Sequence, residues 1–364
     1  MTATLLGRRV ALVGPIPPPF GGMANQTKQL HRLLEASGAS VEFVATNPPY
    51  RPAWVERLKG IRAFLRLAPY CGALRSAAGR ADVAHVMASS GWAWHFFAAP
   101  AIWIFSWRGV PVIVNYRGGA AEDFFSRGFA FVRPTLSRAA AIVVPSPFLQ
   151  RVFAARGFEA RVVPNVVDRA LFAPAAGGSA AGRRTPLHLV VARNLEPIYD
   201  VGTAIRAFAR VREALPGARL SIAGMGPERG ALERLASELA PAGSIVFTGR
   251  LENESMATLY RTADAILNPS LVDNMPISIL EALSAGIPVV STDAGGIPDV
   301  VTNEVQALLV PPRDPEAMAA AVLRLEREPG LRERLVAEGL RHVERFTWDR
   351  VGPEWAAVYA ASQP

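Results

Sequence analysis

Short apolar runs alternate along this chain with longer stretches whose apolar residues recur at helical spacing. The short runs predict buried strands, and the longer stretches predict helices that pack against them. Apolar strands joined by helical crossovers are typical of parallel sheets covered on both faces. The predicted strands are Val10–Val13, Val41–Ala45, Val83–Met87, Val112–Asn115, Ala141–Pro145, Leu187–Val191, Arg219–Ala223, Ser244–Thr248, Ala265–Asn268 and Pro288–Ser291.

The stretch Val83–Trp107 contains no Asp, Glu, Lys or Arg and is long enough to span a bilayer. A Ser/Gly turn and Pro100 interrupt it, so we expect a buried strand and then a buried helix over about Trp92–Phe105. Other predicted helices are Gln26–Ser37, Val201–Leu215, Pro227–Leu239 and Ile277–Ala285.

One segment breaks the alternation of strands and helices. Residues 174–186 are mostly small and predict a linker between two Rossmann-like α/β domains, residues 1–173 and 187–345. In doubly wound sheets, ligands bind beyond the carboxyl ends of the strands. We therefore expect the functional site in a cleft between the two facing domains.

Composition narrows the class of protein. A chain of 364 residues that is 50% hydrophobic suits two packed domains and excludes wholesale disorder. The single cysteine, Cys71, excludes a disulfide framework and a four-cysteine zinc site, and it fits a reducing compartment. Residues 1–20 lack the apolar core of a signal peptide, so we expect a cytoplasmic location, with association at the cytoplasmic face of a membrane left open.

Charge is distributed unevenly between the two halves. Residues 1–172 hold 20 Lys and Arg against 8 Asp and Glu, whereas residues 173–364 hold 19 against 23. A basic half suggests an anionic partner, such as nucleic acid, a phospholipid surface or a phosphorylated substrate. No basic-aromatic motif supports nucleic acid. The chain has no Asp-x-Asp and no close pair of histidines, so we expect no metal.

The most informative motif runs from Asp273 to Glu281. Asp273 and Asn274 are residue types that cap helices, and Pro276 suits a first turn. A helix start exposes N–H groups that favour a phosphate, and carboxylates accept paired hydrogen bonds from vicinal hydroxyls. The spacing predicts a ligand with a sugar at each end of a diphosphate. The alternative is a capped helix with a solvated Glu281. The candidate donor-binding residues are Glu281 and four residues around the helix start, together with Tyr199 and glycines of other motifs: Asn274, Met275, Pro276, Ile277, Gly21, Gly22 and Gly224.

Three further motifs follow predicted strands. Arg193 could clamp a diphosphate with its planar fork, although it could also be a surface arginine. Gly21 and Gly22 would allow close backbone approach to a ligand, or form only a turn. Gly224-Met-Gly226 imitates a dinucleotide fingerprint with the wrong spacing; we interpret it as a tight turn, and we include Gly224 among the donor-side residues.

Together these motifs resemble those of retaining glycosyltransferase family 4 (glycosyl transferases group 1), which has the two-domain glycosyltransferase-B architecture. Asp273-x7-Glu281 is similar to the family's Glu-x7-Glu motif, and Gly21-Gly22, Pro164-Asn165 and Gly295-Gly296 fall where the family has such loops. The resemblance implies that residues 346–364 form a helix crossing back to the first domain.

The resemblance also implies roles for individual residues. Glu281 would hold the donor ribose, Asp273 would contact hydroxyls of the transferred sugar, and Arg193 would stabilise the departing diphosphate. The donor would be a nucleotide-diphosphate sugar, and neither a metal nor another cofactor would be needed, because positive groups would face the growing negative charge. The configuration of the transferred sugar would be retained.

Two positions depart from the family pattern. The family places a lysine shortly after its arginine, whereas Glu196–Gly202 contains Tyr199 and no lysine. A histidine often follows the strand equivalent to Val112–Asn115, where this chain has Arg117. Arg117 could supply the missing positive charge, and whether Arg117 replaces the histidine and Tyr199 the lysine stays open. The acceptor-side candidates are His85, His95 and Glu122.

The acceptor is a separate hypothesis. The basic stretch Arg51–Arg80 and the cluster Phe124, Phe125, Phe129 and Phe131 suggest a glycan or lipid-linked saccharide, with the first domain on an anionic membrane. The alternative is a solvated basic face with ordinary core aromatics. We expect a retaining hexosyltransferase of polysaccharide or glycoconjugate biosynthesis. The alternatives are a catalytically weak nucleotide-sugar-binding subunit or a nucleotide-sugar epimerase on the same fold.

Overall fold

The computed structural model describes residues 5, 7–17, 22–48, 62–174 and 186–362. The chain forms two compact units, Met1–Pro164 with Trp348–Pro364, and Asn165–Thr347. Each unit contains a six-stranded sheet whose paired strands are parallel and whose flanking elements are helices. The predicted α/β class with two Rossmann-like sheets is confirmed.

The sheet of the first unit has the strand order β2-β1-β3-β4-β5-β6. Its central strands are buried along almost their whole length, as continuous apolar runs require when helices cover both faces. Its strands are β1 (Arg9–Gly14), β2 (Ser40–Ala45), β3 (Val83–Ala88), β4 (Val112–Tyr116), β5 (Ala141–Val144) and β6 (Arg161–Val162). Its helices are α1 (Gly22–Ala36), α2 (Arg62–Ala78), α3 (Ala99–Trp107), α4 (Ala121–Leu136), α5 (Pro147–Ala154) and the final helix α13 (Trp348–Ala361).

The sheet of the second unit has the strand order β12-β11-β10-β7-β8-β9. The order reverses after β7, which lies between β10 and β8, and ligands of doubly wound sheets bind beside such a reversal. Its strands are β7 (His188–Ala192), β8 (Arg219–Ala223), β9 (Ile245–Gly249), β10 (Ala265–Asn268), β11 (Val289–Thr292) and β12 (Leu308–Val310). Its helices are α6 (Val201–Ala214), α7 (Arg229–Leu239), α8 (Asn253–Tyr260), α9 (Ile277–Ser284), α10 (Ile297–Val300), α11 (Pro315–Arg327) and α12 (Leu331–His342).

The uncharged stretch Val83–Trp107 forms β3, a π-helical turn over Trp94–Ala98, and α3. Trp94 and Phe105 are completely buried, so the apolar character of this stretch serves the core of the first unit. Within the described residues, no helix combines the length and the apolar character needed to cross a bilayer.

The boundary between the units differs from the predicted linker. Residues after Pro164 belong to the second unit because Val167 and Phe172 pack in its core, where the Phe172 ring lies 5.8 Å from the Tyr260 ring. The prediction that the first domain extends to residue 173 therefore placed two apolar residues of the second unit's core in the wrong domain. Residues 175–185 of the predicted linker lie outside the described residues.

The final helix, α13, packs with the first unit. The indole Nε1 of Trp348 donates to Ser37 Oγ at 3.2 Å, and Trp355 and Tyr359 are completely buried. The chain thus returns to the first unit directly after Thr347, as the family resemblance implies.

Candidate functional site

Arg193 follows β7 and is held by two side chains from the neighbouring strand β10 and the loop after it. Its Nε donates to Asn268 Oδ1 at 2.6 Å, and its Nη2 forms an ion pair with the carboxylate of Asp273. The side chains are only 11% and 15% exposed, so this is a nearly buried pair. Since β7 and β10 are adjacent parallel strands, their carboxyl ends bring these residues together.

Asp273 does not cap the helix that follows it. Helix α9 begins after Pro276, whose extended backbone precedes the first turn, and Asp273 lies outside that turn. One carboxylate oxygen of Asp273 accepts from the Asn274 amide at 2.9 Å while the other pairs with Arg193. Asp273 and Asn274 are cap-type residues, but Pro276 takes the N-cap position, and Asp273 pairs with the guanidinium of Arg193 instead.

Glycines fix the backbone at Asp273. Gly295 has a φ of +62°, and a Cβ there would overlap the carbonyl oxygen of Asp273. The amide of Gly296 donates to that same carbonyl at 2.7 Å. The Gly295-Gly296 pair therefore fixes the backbone of Asp273, the acidic residue of the site.

The Gly224-Met-Gly226 turn packs against the backbone that follows Arg193. A Cβ on Gly224, whose φ is +159°, would overlap the carbonyl oxygen of Arg193, and a Cβ on Gly226 would overlap that of Leu195. The backbone at Gly224 therefore lies close against the loop that follows Arg193, and this contact explains why a residue without a side chain stands there. Its place among the donor-side residues is indirect, through the position of Arg193.

Glu281 lies in the second turn of α9. Its Oε2 accepts from the hydroxyl of the completely buried Tyr260 at 3.3 Å. Burial raises the pKa of Glu281 to about 8, although the Tyr260 hydrogen bond and the charge of Arg193 oppose that rise. A carboxyl group in this setting ionises most readily when a ligand supplies further hydrogen-bond donors.

The residues before and at the start of α9 are mostly buried. Asn274 and Met275 are 4% and 5% exposed, Pro276 is buried, and Ile277, the first helical residue, is partly exposed. Asn165 supports this loop, because its Nδ2 donates to the Met275 carbonyl at 2.8 Å. The sequence showed only that Pro164-Asn165 falls where the family has such a loop, and the contact with a residue 110 positions later could not be seen in it.

Tyr199 ends a short 3-10 helix, Pro197–Tyr199, in the loop after Arg193. The guanidinium carbon of Arg193 lies 5.0 Å from the centre of the Tyr199 ring, within the range of a cation–π contact. Burial raises the pKa of Tyr199, so its phenol stays neutral. Tyr199 therefore flanks the arginine and adds no positive charge where the family has lysine.

In the first unit, Arg117 directly follows β4. Its Nε donates to Asn115 Oδ1 at 3.1 Å, and its Nη1 lies 3.5 Å from Gln26 Oε1. Burial lowers the pKa of Arg117 to about 10, which still leaves the guanidinium charged at neutral pH.

The structure separates the acceptor-side candidates. His85 is completely buried and both of its ring nitrogens have partners, so it does not reach an acceptor. His95 is exposed on the π-helical turn, 6.2 Å from the Trp92 ring. Glu122 is exposed in the first turn of α4, where an acidic residue suits the helix dipole.

Of the predicted pair Gly21-Gly22, Gly22 lies within the described residues. Gly22 is the exposed first residue of α1, and a Cβ there would meet no atom within 4 Å; Gly21 lies outside the described residues. In the described part of the chain, no group of three or more His, Cys, Asp or Glu side chains could hold a metal ion.

The Gly224 contact predicts a position-specific loss of stability. Gly224→Ala should lower the free energy of unfolding by about 2–3 kcal/mol, because its Cβ would overlap backbone that cannot move aside. Gly230→Ala is the matched control, since a Cβ in this exposed helix meets only a flexible arginine end at 3.7 Å and alanine favours helix. Urea unfolding measures both; equal stability of the two variants would contradict the close approach.

The Glu281 environment predicts a dependence of stability on pH. With a folded pKa of about 8 against an ordinary 4.5, the folded protein keeps a proton that the unfolded chain has lost, so stability falls as pH rises through that window. Glu281→Gln removes this loss. Its melting temperature should exceed that of the parent at about pH 9 and match it at about pH 4. Exposed Glu238→Gln is the control; a difference independent of pH would contradict the raised pKa of the Glu281 carboxyl.

Comparisons with known proteins identify the family and the fold. A family model described as Glycosyltransferase Family 4 matches residues 20–171, and one described as Glycosyl transferases group 1 matches residues 181–342. Over 230 residues the chain is 33% identical to D-inositol 3-phosphate glycosyltransferase of Actinosynnema mirum, an alignment covering 59% of this chain and 55% of that protein. The chain spans about half the length of the curated relatives it matches.

Two solved structures share the fold of the whole chain. Sucrose-phosphate synthase from Thermosynechococcus elongatus superposes with a TM-score of 0.77 at 19% identity, covering 97% of this chain and 98% of that one. Anabaena HepE, solved in complex with UDP-glucose, gives 0.74 at 16% identity, covering 97% and 99%. Since the two family models together match most of the sequence, the chain belongs to the group 1 and family 4 glycosyltransferases, with the glycosyltransferase-B fold.

Proposed function

We propose that the chain is a retaining glycosyltransferase that moves a hexose-type sugar from a nucleotide-diphosphate donor to a glycan or lipid-linked acceptor, without a metal. The observation that carries this proposal is the nearly buried Arg193–Asp273 pair at the carboxyl end of β7, beside the start of α9. A glycosyltransferase among the relatives and a structural neighbour with bound UDP-glucose support a nucleotide-sugar donor.

Arg193 is suited to stabilise a departing diphosphate. Its Nε and Nη2 are held by Asn268 and Asp273, while its Nη1 donates to no group among the described residues. A guanidinium fixed in this way needs no reorganisation as negative charge grows on the leaving group. Such preorganised hydrogen-bond donors contribute strongly to catalysis. The N–H groups at the start of α9 add to the positive potential.

The chemical step then needs no nucleophile from the protein. The bond between the anomeric carbon and the diphosphate oxygen breaks, and the acceptor oxygen attacks from the face that the diphosphate leaves. The acceptor's proton passes to the departing diphosphate, so charge and atoms balance. Asp273 holds hydroxyls of the transferred sugar, and Arg117 serves as a proposed phosphate-binding cation of the first unit.

Glu281 is proposed to hold the ribose of the donor. Tyr260 occupies one carboxylate oxygen and orients the group, which can then accept hydrogen bonds from vicinal hydroxyls. Because the pKa of Glu281 is raised to about 8, binding that favours the carboxylate releases a proton near neutral pH.

The surface of the first unit favours a lipid-linked acceptor over a soluble one. Trp107 and Phe131 are 68% and 79% exposed, and the Arg138 guanidinium lies 3.6 Å from the centre of the Trp103 ring. Trp103 in turn lies 5.2 Å from the Trp107 ring, so an arginine and an exposed tryptophan belong to one aromatic cluster, a combination that suits an anionic membrane interface. The rest of the predicted phenylalanine cluster is packed in or against the core, and residues 51–61 of the basic stretch lie outside the described residues.

Donor turnover by the purified chain tests the proposal and its alternatives. Uridine, guanosine and adenosine diphosphate sugars are supplied without acceptor, with a soluble glycan, or with a lipid-linked saccharide in anionic vesicles. We expect nucleoside diphosphate release with at least one donor, greatest with the vesicles. Binding without turnover would favour the supporting-subunit alternative, and a new nucleotide sugar formed without acceptor would favour an epimerase.

Substitution of Arg193 should then lower the rate. Arg193→Lys keeps the charge but cannot hold Asn268 and Asp273 together, so we expect kcat to fall by about a hundredfold. Arg210→Lys, on the exposed face of α6, is the control and should leave kcat unchanged. Equal kcat in the two variants would remove Arg193 from the chemical step.

A further inference from the structure

A continuous chain of hydrogen bonds runs through the interior of the first unit to Arg117. Tyr359 Oη lies 2.6 Å from His85 Nδ1, and His85 Nε2 lies 2.9 Å from Asn115 Nδ2. Asn115 Oδ1 then accepts from Arg117 Nε at 3.1 Å. Tyr359, His85 and Asn115 are completely buried, so the chain joins the final helix α13 to the loop after β4 without contact with solvent.

Arg117 determines which atom donates and which accepts in each of these hydrogen bonds. Arg117 Nε can only donate, so the side-chain oxygen of Asn115 must face it, and the Asn115 amide nitrogen must face His85. That nitrogen also donates to Met87 Sδ at 3.4 Å. His85 Nε2 is therefore an acceptor without a proton, and His85 Nδ1 carries the ring proton and donates to the Tyr359 oxygen.

The histidine stays in this single form. Burial and the nearby charge of Arg117 lower the pKa of His85 to about 3, so the ring is neutral throughout the working range. A second ring proton would also point at the amide donor of Asn115. The Trp355 ring packs against the imidazole with 4.8 Å between centroids and makes no hydrogen bond to it.

We propose that Tyr359, His85 and Asn115 are positioning residues that fix the guanidinium plane of Arg117 for binding a phosphate group of the substrates. This inference rests on the proposed function for the role of Arg117, whereas the tautomer of His85 can be tested independently. The three residues do not touch the substrate; they act by restraining Nε, so that the other guanidinium donors have a defined direction. A misdirected guanidinium would bind the phosphate less well in the transition state.

The hydrogen-bonded series Tyr359, His85, Asn115 and Arg117 is called the relay below. A spectroscopic measurement tests it without any need for enzymatic turnover. Nitrogen-15 long-range correlation spectra of the full chain report which ring nitrogen of each histidine is protonated, and the His85 signals are assigned by their loss in His85→Gln. We expect the neutral form protonated at Nδ1, unchanged between about pH 6 and pH 8. A ring protonated at Nε2, or a cationic ring at neutral pH, would overturn the proposal.

Kinetics test the consequence for catalysis. His85→Leu removes both ring hydrogen bonds and should lower kcat by about tenfold with little change in the donor KM. His85→Gln can still accept from Asn115 and donate to Tyr359, so it should recover most of the rate. Trp355→Phe, which packs on the ring without belonging to the relay, is the control for altered packing.

A double-variant cycle separates positioning from general damage. In an Arg117→Ala background, His85→Leu should cost no further activity, because its effect passes through Arg117. The proposal would be overturned if the kcat losses of Arg117→Ala and His85→Leu multiplied in the double variant. It would also be overturned if Trp355→Phe lowered kcat as much as His85→Leu while the two variants had equal melting temperatures. If the parent chain turns over no donor, the proposed function fails, and the tautomer measurement alone decides the relay.

Discussion

The ion pair between Arg193 and Asp273 is the interaction on which the site in the second unit depends. Burying two charges costs solvation energy, and the cost is offset here by Asn268 on the guanidinium and the Asn274 amide on the carboxylate. Removing either partner would leave an uncompensated buried charge. The pair therefore holds the strand ends of β7 and β10 and the loop before α9 in one fixed arrangement.

The same device occurs in both units. Each unit places an arginine directly after a central parallel strand, and in each an asparagine oxygen accepts from the arginine Nε: Asn268 for Arg193, and Asn115 for Arg117. A buried amide can be held in one orientation by its other partners, which are Ser291 for Asn268 and His85 for Asn115. The positive groups are thus oriented by the core and not by the loops that carry them, which is the condition for preorganised electrostatic stabilisation.

Periodicity and motif spacing predicted much of this molecule. Arg219–Ala223 and Ala265–Asn268 were predicted with their observed bounds, because short apolar runs between turn residues leave few alternatives. The sequence also singled out Arg193, Asp273 and Glu281. It did not show that Arg193 and Asp273 pair with each other across 80 positions, or that Tyr260 orients Glu281. Such contacts depend on how strands order in the sheet, which local patterns do not encode. Likewise, Val167 and Phe172 were assigned to the first domain by a boundary placed on composition alone.

Nucleotide affinity shows whether Arg193 binds the diphosphate. Isothermal titration of the full chain with the di- and monophosphates of uridine, guanosine and adenosine compares the parent with Arg193→Gln. If Arg193 holds the diphosphate, then for at least one base the diphosphate binds at least about tenfold more tightly than the monophosphate, and the substitution abolishes this preference. A preference for the diphosphate that is equally large in both proteins would contradict it.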